Sequence, residues 1–220
     1  MAILDRTPSL SIIIKVNNVS AVRKNICSNN KISFMIILLC GLSGAGKTTL
    51  AGNVKNRLGK SEIPIEVIDA DEYRQKLFTD LKYTKENRLE NIRRLGFIAS
   101  RFSAQGIVTI ISAINPYDAV RRELVATYGQ VKIVHVDCSL DVLMERDTKG
   151  LYKRAMLPDE DPQKLFNLTG VNDPFEIPRK PDLQINTQYF SVEESTGMLI
   201  SFIEYNYYML SIKSIPVKEL

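Results

Sequence analysis

The chain has 220 residues, 45% of them hydrophobic, which is enough for one well-buried domain and gives no reason to expect two. Its 29 basic and 25 acidic residues leave a formal charge of +4; scattered as they are, they lack the electrostatic stripe of a nucleic-acid surface and suit a small polyanionic substrate instead. Three cysteines, Cys27, Cys40 and Cys138, lie far apart without metal-ligand spacing, which argues against a disulfide framework and for a reducing cytoplasm.

Residues 1–34 hold a brief apolar patch, Leu10 to Ile14, followed by polar residues including Asn29 and Asn30. They read as an accessory extension rather than a signal peptide or a core element, and Met35 is placed to begin a complete domain. The run Met35 to Cys40 is predicted to be the first strand; it falls far short of the roughly 20 residues a membrane helix needs, so no membrane span is expected. Further strands are predicted at Ile65 to Ile68, Ile107 to Ile111, Val131 to Val136 and Leu183 to Ile185, with helices at Thr48 to Leu58, Lys85 to Ala104 and Pro116 to Tyr128. Short apolar runs alternating with amphipathic stretches are the mark of parallel strands joined by crossover helices. The expectation is an α/β three-layer sandwich with a mostly parallel central sheet, spanning residues 35–206.

Residues 147–182, rich in Lys, Asp, Pro and Gly, break that rhythm. A stretch this long without apolar periodicity is either a solvated connector or a functional loop, and its position after the fourth strand suits a lid over bound phosphates. Residues 207–220 are set apart as a C-terminal tail.

The strongest chemical signal is Gly41-Leu42-Ser43-Gly44-Ala45-Gly46-Lys47-Thr48, a complete G-x-x-x-x-G-K-[ST] pattern between a predicted strand and a predicted helix. In that context it is a P-loop: backbone N–H groups of Ser43, Gly44, Ala45, Gly46 and Thr49 cradle phosphates, Lys47 reaches the β and γ phosphates of ATP, and Thr48 ligates Mg2+. The second strand leads into Asp69-Ala70-Asp71-Glu72-Tyr73-Arg74. Asp71 is the candidate catalytic base, able also to hold magnesium through water, and Arg74 lies one helical turn on, suited to an anionic acceptor or to an ordinary surface ion pair. Thr84 is placed to cap the helix that follows, on which Arg88 and Asn91 share a face; the spacing fits either an acceptor grip or a solvated face.

Taken in order, Gly41 to Thr49, Asp71 to Arg74, Glu90-Asn91-Ile92-Arg93-Arg94, Asn115-Pro116-Tyr117 and Lys149-Gly150-Leu151-Tyr152 resemble the adenylyl-sulfate kinases, over about Met35 to Tyr205. The resemblance implies a P-loop kinase that moves the γ-phosphoryl of MgATP to the 3′-hydroxyl of adenylyl sulfate, with a homodimer as the family expectation. By matched position it implies acceptor-binding roles for Asp71, Arg74, Tyr83, Arg88, Asn91, Ile114 and Asn115. It gives Lys149 the part of a catalytic lid lysine that neutralises charge on the transferred group, and sets Arg146 and Asn186 beside the ATP base.

Two departures bear on mechanism. Asn115 stands where the family commonly has serine before Pro-Tyr, and an amide cannot carry a phosphoryl group, so direct in-line transfer is expected. Leu168 stands where the family has the phenylalanine of Phe-Thr-Gly, leaving Tyr83 as the one matched aromatic against the acceptor base and weakening stacking by about 1 kcal/mol. These two positions keep open a kinase of another nucleotide, such as a cytidine diphosphate derivative. A non-catalytic nucleotide-binding regulator and a P-loop ATPase acting on nucleic acid are the remaining alternatives; the presence of Lys47, Thr48, Asp71 and Lys149 disfavours the first and the lack of a basic stripe the second. His135, the single histidine, lies in an apolar strand and is read as packing.

Overall fold

The computed structural model describes residues 35–61 and 63–213. The expected extension, residues 1–34, and the end of the expected tail, residues 214–220, lie outside the described residues.

Strands β1 (Ile36–Cys40), β2 (Ile65–Asp69), β3 (Val108–Ser112), β4 (Val131–Asp137) and β5 (Leu183–Asn186) pair in parallel throughout, in the order β2-β3-β1-β4-β5. All five residues of β1 are buried, because both faces of the sheet are covered. Side chains alternate along a strand, so Met35, Ile37 and Leu39 join one core while Ile36 and Leu38 join another. The first core is closed by Leu50 and Val54 of helix α1 (Lys47–Leu58) and by Leu199 of the long last helix, Val192–Lys213. The second is closed by Leu95 and Ala99 of α3 (Lys85–Ser103) and Val120 and Leu124 of α4 (Asp118–Tyr128). Between α1 and α3 lies the short α2 (Ala70–Lys76); after β4 come α5 (Leu140–Arg146) and α6 (Leu151–Ala155), and Val192–Lys213 is α7. The result is the three-layer sandwich that the alternation of apolar runs predicts. No helix of the described residues is long and apolar enough to cross a membrane.

Where boundaries differ, the cause is tertiary. Helix α4 starts at Asp118 rather than Pro116, because Tyr117 stays extended and the first turn is capped from elsewhere in the chain: the Glu176 carboxylate accepts from the Asp118 N–H at 2.6 Å. Thr84 caps α3 as its sequence position suggests, its hydroxyl accepting from the Asn87 N–H at 3.3 Å. Within residues 147–182 the chain forms α6, whose free N–H groups are taken by Asp147: Tyr152 and Lys153 donate to its carboxylate at 3.0 and 2.9 Å. Helix α7 continues through residue 206 to Lys213, without a break at the expected start of the tail.

Helices α3 and α4 approach closely at Gly96. A Cβ there would lie 2.9 Å from Leu124 Cδ2 and 3.3 Å from Tyr128 Cε2. Gly96→Val should therefore destabilise the fold by about 2 kcal/mol through overpacking, seen as a lower urea midpoint at unchanged slope; an unmoved midpoint would show that the two helices are not packed this tightly.

Candidate active site

The order of the strands reverses at β1, and the chain leaves that strand straight into Gly41. A Cβ on Gly41 would stand 2.2 Å from the Val136 carbonyl oxygen on β4, so the loop can pass the neighbouring strand only as glycine. Gly46 heads α1 with φ 94 and no side-chain cap, leaving the first helical N–H groups for an anion. The loop is held from two sides: the Tyr152 hydroxyl donates to the Ser43 carbonyl at 2.8 Å, and the Thr187 hydroxyl donates to the Ala45 carbonyl at 3.1 Å.

Lys47 is buried, and its ammonium donates to the carbonyls of Gly41 and Leu42 at 2.9 and 2.7 Å. Burial, followed by the nearby charge of Lys149, pulls its pKa down to about 8. A cation kept out of water with only main-chain carbonyls in contact is poised for a polyphosphate.

The carboxylates after β2 divide their work. Asp69, the last residue of the strand, uses Oδ1 to cap α2, accepting from the N–H groups of Asp71 and Glu72 at 2.9 and 3.3 Å. Its Oδ2 accepts from the Thr48 hydroxyl at 2.9 Å, and Ser112 Oγ lies 3.3 Å from the same hydroxyl. Asp71 stands in the first turn of α2, where the Lys149 ammonium donates to it at 2.8 Å. That hydrogen bond is the main cause of a raised Lys149 pKa. The sequence reading ends the strand at Ile68 and so passes over Asp69, although a carboxylate at a strand tip facing a P-loop is itself a signal. Thr48, Asp69 and Ser112 gather hydroxyl and carboxylate oxygens, the donor set of a hard divalent cation. No group of three or more His, Cys, Asp or Glu that could hold a metal is found among the described residues.

Three cavities and a recess meet here. One of about 200 Å³ runs along the P-loop from Lys47 and Thr48 to Asp71 and Lys149. A second, of about 430 Å³, lies under the 147–182 segment and is lined by Tyr83, Arg88, Arg154, Leu168 and Thr169 among others. Ser43, Asp71, Ile114 and Lys149 line both. The third, of about 360 Å³, opens on the other side of the P-loop between Arg146, Thr187, Tyr189 and Phe190. A recess of about 50 Å³ beside Asp71 collects Arg74, Asn91 and Asn115.

The structure thus brings together nearly all the residues expected at the site, and it shows how each is held. Arg88 is buried and donates to the carbonyls of Tyr83 and Asn167 at 2.9 and 2.6 Å and to Asp173 at 3.1 Å. Arg74 donates to the carbonyls of Leu81 and Lys82 at 3.1 and 2.8 Å. The guanidinium groups of Arg74 and Arg88 also lie over the Tyr83 ring, 4.9 and 5.5 Å from its centroid respectively. Arg146 donates to the Thr187 carbonyl at 3.0 Å and faces the third cavity. Asn186 does not line that cavity; its amide donates to Asp137 at 3.1 Å and its oxygen accepts from the Gln188 N–H at 3.0 Å. Arg154, in the second cavity, has no motif to announce it. His135 is buried, stacked on Phe175 with ring centroids 5.9 Å apart, and burial lowers its pKa.

The sequence profile of the adenylylsulphate kinase family matches residues 33–186. The chain is 41% identical over 164 residues to the adenylyl-sulfate kinase of Halothermothrix orenii, covering 74% of this chain and 86% of that one. It is 37% identical over 172 residues to the adenylyl-sulfate kinase of Chloroflexus aurantiacus, covering 78% of this chain and 90% of that one. Among solved structures, it superposes on the Mycobacterium tuberculosis APS kinase CysC in complex with AMPPNP and APS with a TM-score of 0.72 and 30% identity, covering 79% of this chain and 99% of that one.

Because burial lowers the pKa of Lys47 to about 8, and a bound triphosphate favours its charged form, ATP binding at pH 8 should take up about half a proton. Above that pH the affinity should fall. Calorimetry in buffers of different ionisation enthalpy measures the uptake; it should vanish in Lys47→Met, and uptake that persisted there would assign the proton to another group.

Proposed function

The chain belongs to the adenylylsulphate kinase family, and on that footing we propose that it transfers the γ-phosphoryl group of MgATP to the 3′-hydroxyl of adenosine 5′-phosphosulfate, giving 3′-phosphoadenylyl sulfate and ADP. The observation that carries the proposal is the Asp71–Lys149 ion pair, 2.8 Å long, set on the wall shared by the P-loop cavity and the cavity under the 147–182 segment. One side of that wall suits a triphosphate and the other a nucleotide acceptor, so the pair stands where a phosphoryl group would cross.

In this reading the P-loop N–H groups and Lys47 hold the β and γ phosphates, while the ATP base enters the cleft beside Arg146, with Thr187 and Phe190 as further walls. Asn186 contributes indirectly, by fixing the turn that carries Thr187 and Gln188. Thr48, with Asp69 and Asp71 reaching through water, would hold the magnesium ion that ATP brings, whose charge offsets that of the phosphate oxygens. The acceptor lies between Tyr83 and Leu168 with its anionic end toward Arg74 and Arg88, against Asn91, Ile114 and Asn115. Asp71 accepts the proton of the attacking hydroxyl. Lys149, released from Asp71 as that carboxylate turns to the acceptor, neutralises charge growing on the transferred group, which favours the transition state over the ground state. Asn115 offers no hydroxyl to carry a phosphoryl intermediate, so transfer is direct and in line between the two bound nucleotides. The 147–182 segment acts as the lid that excludes water from this step. We place the enzyme in the cytoplasm, consistent with Cys40 and Cys138 being buried free thiols, and expect two chains to pair.

A specific observation keeps a second acceptor in view. Leu168, not an aromatic, lines the same cavity as the exposed Tyr83, so on this reading the base has one aromatic face to stack on. Purified protein with MgATP should be offered adenylyl sulfate, a cytidine diphosphate derivative and no acceptor, with products identified by mass and by position of the new phosphoryl group. A 3′-phosphorylated adenylyl sulfate is expected; transfer to the cytidine nucleotide alone would keep the mechanism and replace the substrate. Leu168→Phe should lower KM for adenylyl sulfate about fivefold by restoring the second stacking face. Asp71→Asn should reduce kcat about a thousandfold while sparing ATP binding, and near-normal turnover in that variant would overturn the assignment of the base.

A further inference from the structure

Arg121, on α4, is fully buried, yet its one ion pair among the described residues is a long contact with Asp118 at 3.5 Å. Its stronger hydrogen bonds go to main-chain carbonyls of two different segments: one to Asn115 at 2.8 Å and one to Glu176 at 2.6 Å. A guanidinium withdrawn from water is a poor choice for packing alone, since an apolar side chain of similar size fills space without the desolvation cost. What it offers is two directed donors.

Both carbonyls lie at sensitive places. Asn115 has φ 47, in the left-handed region that a residue with a Cβ seldom occupies, and is 1% exposed. Both polar atoms of its amide, and Oδ1 of Asn91, are buried and have no hydrogen-bond partner among the described residues, and Asn91 and Asn115 line the recess beside Asp71. Glu176 lies in the last part of the 147–182 segment: its N–H donates to the Pro116 carbonyl at 2.8 Å and its carboxylate caps α4 at Asp118. The end of the lid is therefore zipped to the loop that carries Asn115, and Arg121 bonds both sides of the seam.

We propose that Arg121 is a positioning residue for the acceptor, holding Asn115 in its left-handed turn and fastening that turn to the end of the lid. It touches neither nucleotide. It acts by keeping the unpartnered amide of Asn115 aimed into the acceptor recess whatever the state of the ATP site, so its loss is felt as acceptor binding. The inference rests on the assignment of Asn115 to the acceptor given above.

The test is steady-state kinetics of the full chain with MgATP and adenylyl sulfate. Arg121→Lys, which keeps the charge but cannot reach both carbonyls, should raise KM for adenylyl sulfate about tenfold and leave KM for ATP within about twofold. Arg121→Gln, which is neutral and keeps donor groups, makes the same comparison if the lysine variant does not fold. In an Asn115→Gly background, where the left-handed turn needs no support and the amide is gone, either Arg121 substitution should add less than about twofold. A rise in both KM values together, or a full effect surviving in the glycine background, would reduce Arg121 to a structural residue. Wild-type turnover separates the two levels of the argument: no transfer to adenylyl sulfate removes the acceptor assignment, whereas normal transfer with an unmoved acceptor KM in Arg121→Lys removes only the positioning role.

Discussion

The ammonium of Lys47 sits out of water with the carbonyl oxygens of Gly41 and Leu42 against it, and a charge so placed is costly until an anion arrives. Its position is not adjustable. It is set by the point where β1 ends, by the passage of Gly41 under Val136, and by the start of α1 at the uncapped Gly46. Every other group in the site is placed relative to this one: Thr48 follows it in sequence, Asp69 reaches Thr48 from the tip of β2, and Asp71 follows Asp69 into the next helix. The catalytic geometry is thus a consequence of two strand tips separated by β3 in the sheet.

That arrangement explains what could be read from the chain alone. Strand β1 was the most visible, because a central strand covered on both faces favours an unbroken apolar run and β1 supplies one; the other strands were legible as short apolar runs despite interruptions such as Glu66, Lys132 and Gln184. The P-loop was visible because its glycines answer local backbone demands. Other features depend on partners distant in sequence. Asp118 begins α4 because Glu176 caps it, and no local pattern announces a cap from so far along the chain. Arg154 enters the acceptor cavity only because α6 is anchored to the P-loop through Tyr152 and Ser43. Asp69 was legible in principle, being a carboxylate where a strand stops, but a strand boundary misplaced by one residue was enough to pass over it. Asn186 shows the opposite failure: close to the ATP cleft in sequence, it spends its amide on the turn rather than on the cleft.

The acceptor side differs in kind from the ATP side. Phosphate recognition relies on backbone N–H groups, which tolerate wide change in side chains. The cavity assigned above to the acceptor is lined by residues of α2, α3, the Ile114–Asn115 turn and the 147–182 segment. Leu168 and Asn115, the two positions at which the motifs of the family resemblance are not matched, stand in this wall.

Arg88 gives this division a kinetic side. It is buried on α3, and two of its hydrogen bonds end on the far segment, at the Asn167 carbonyl and the Asp173 carboxylate. Opening the segment there would leave the guanidinium with one of the three hydrogen bonds described above, the one to the Tyr83 carbonyl. On the proposed assignment the product leaves by that opening and Arg88 also grips the acceptor. Latch on the door and clamp on the cargo would then be one side chain, coupling the pace of escape to the strength of the grip.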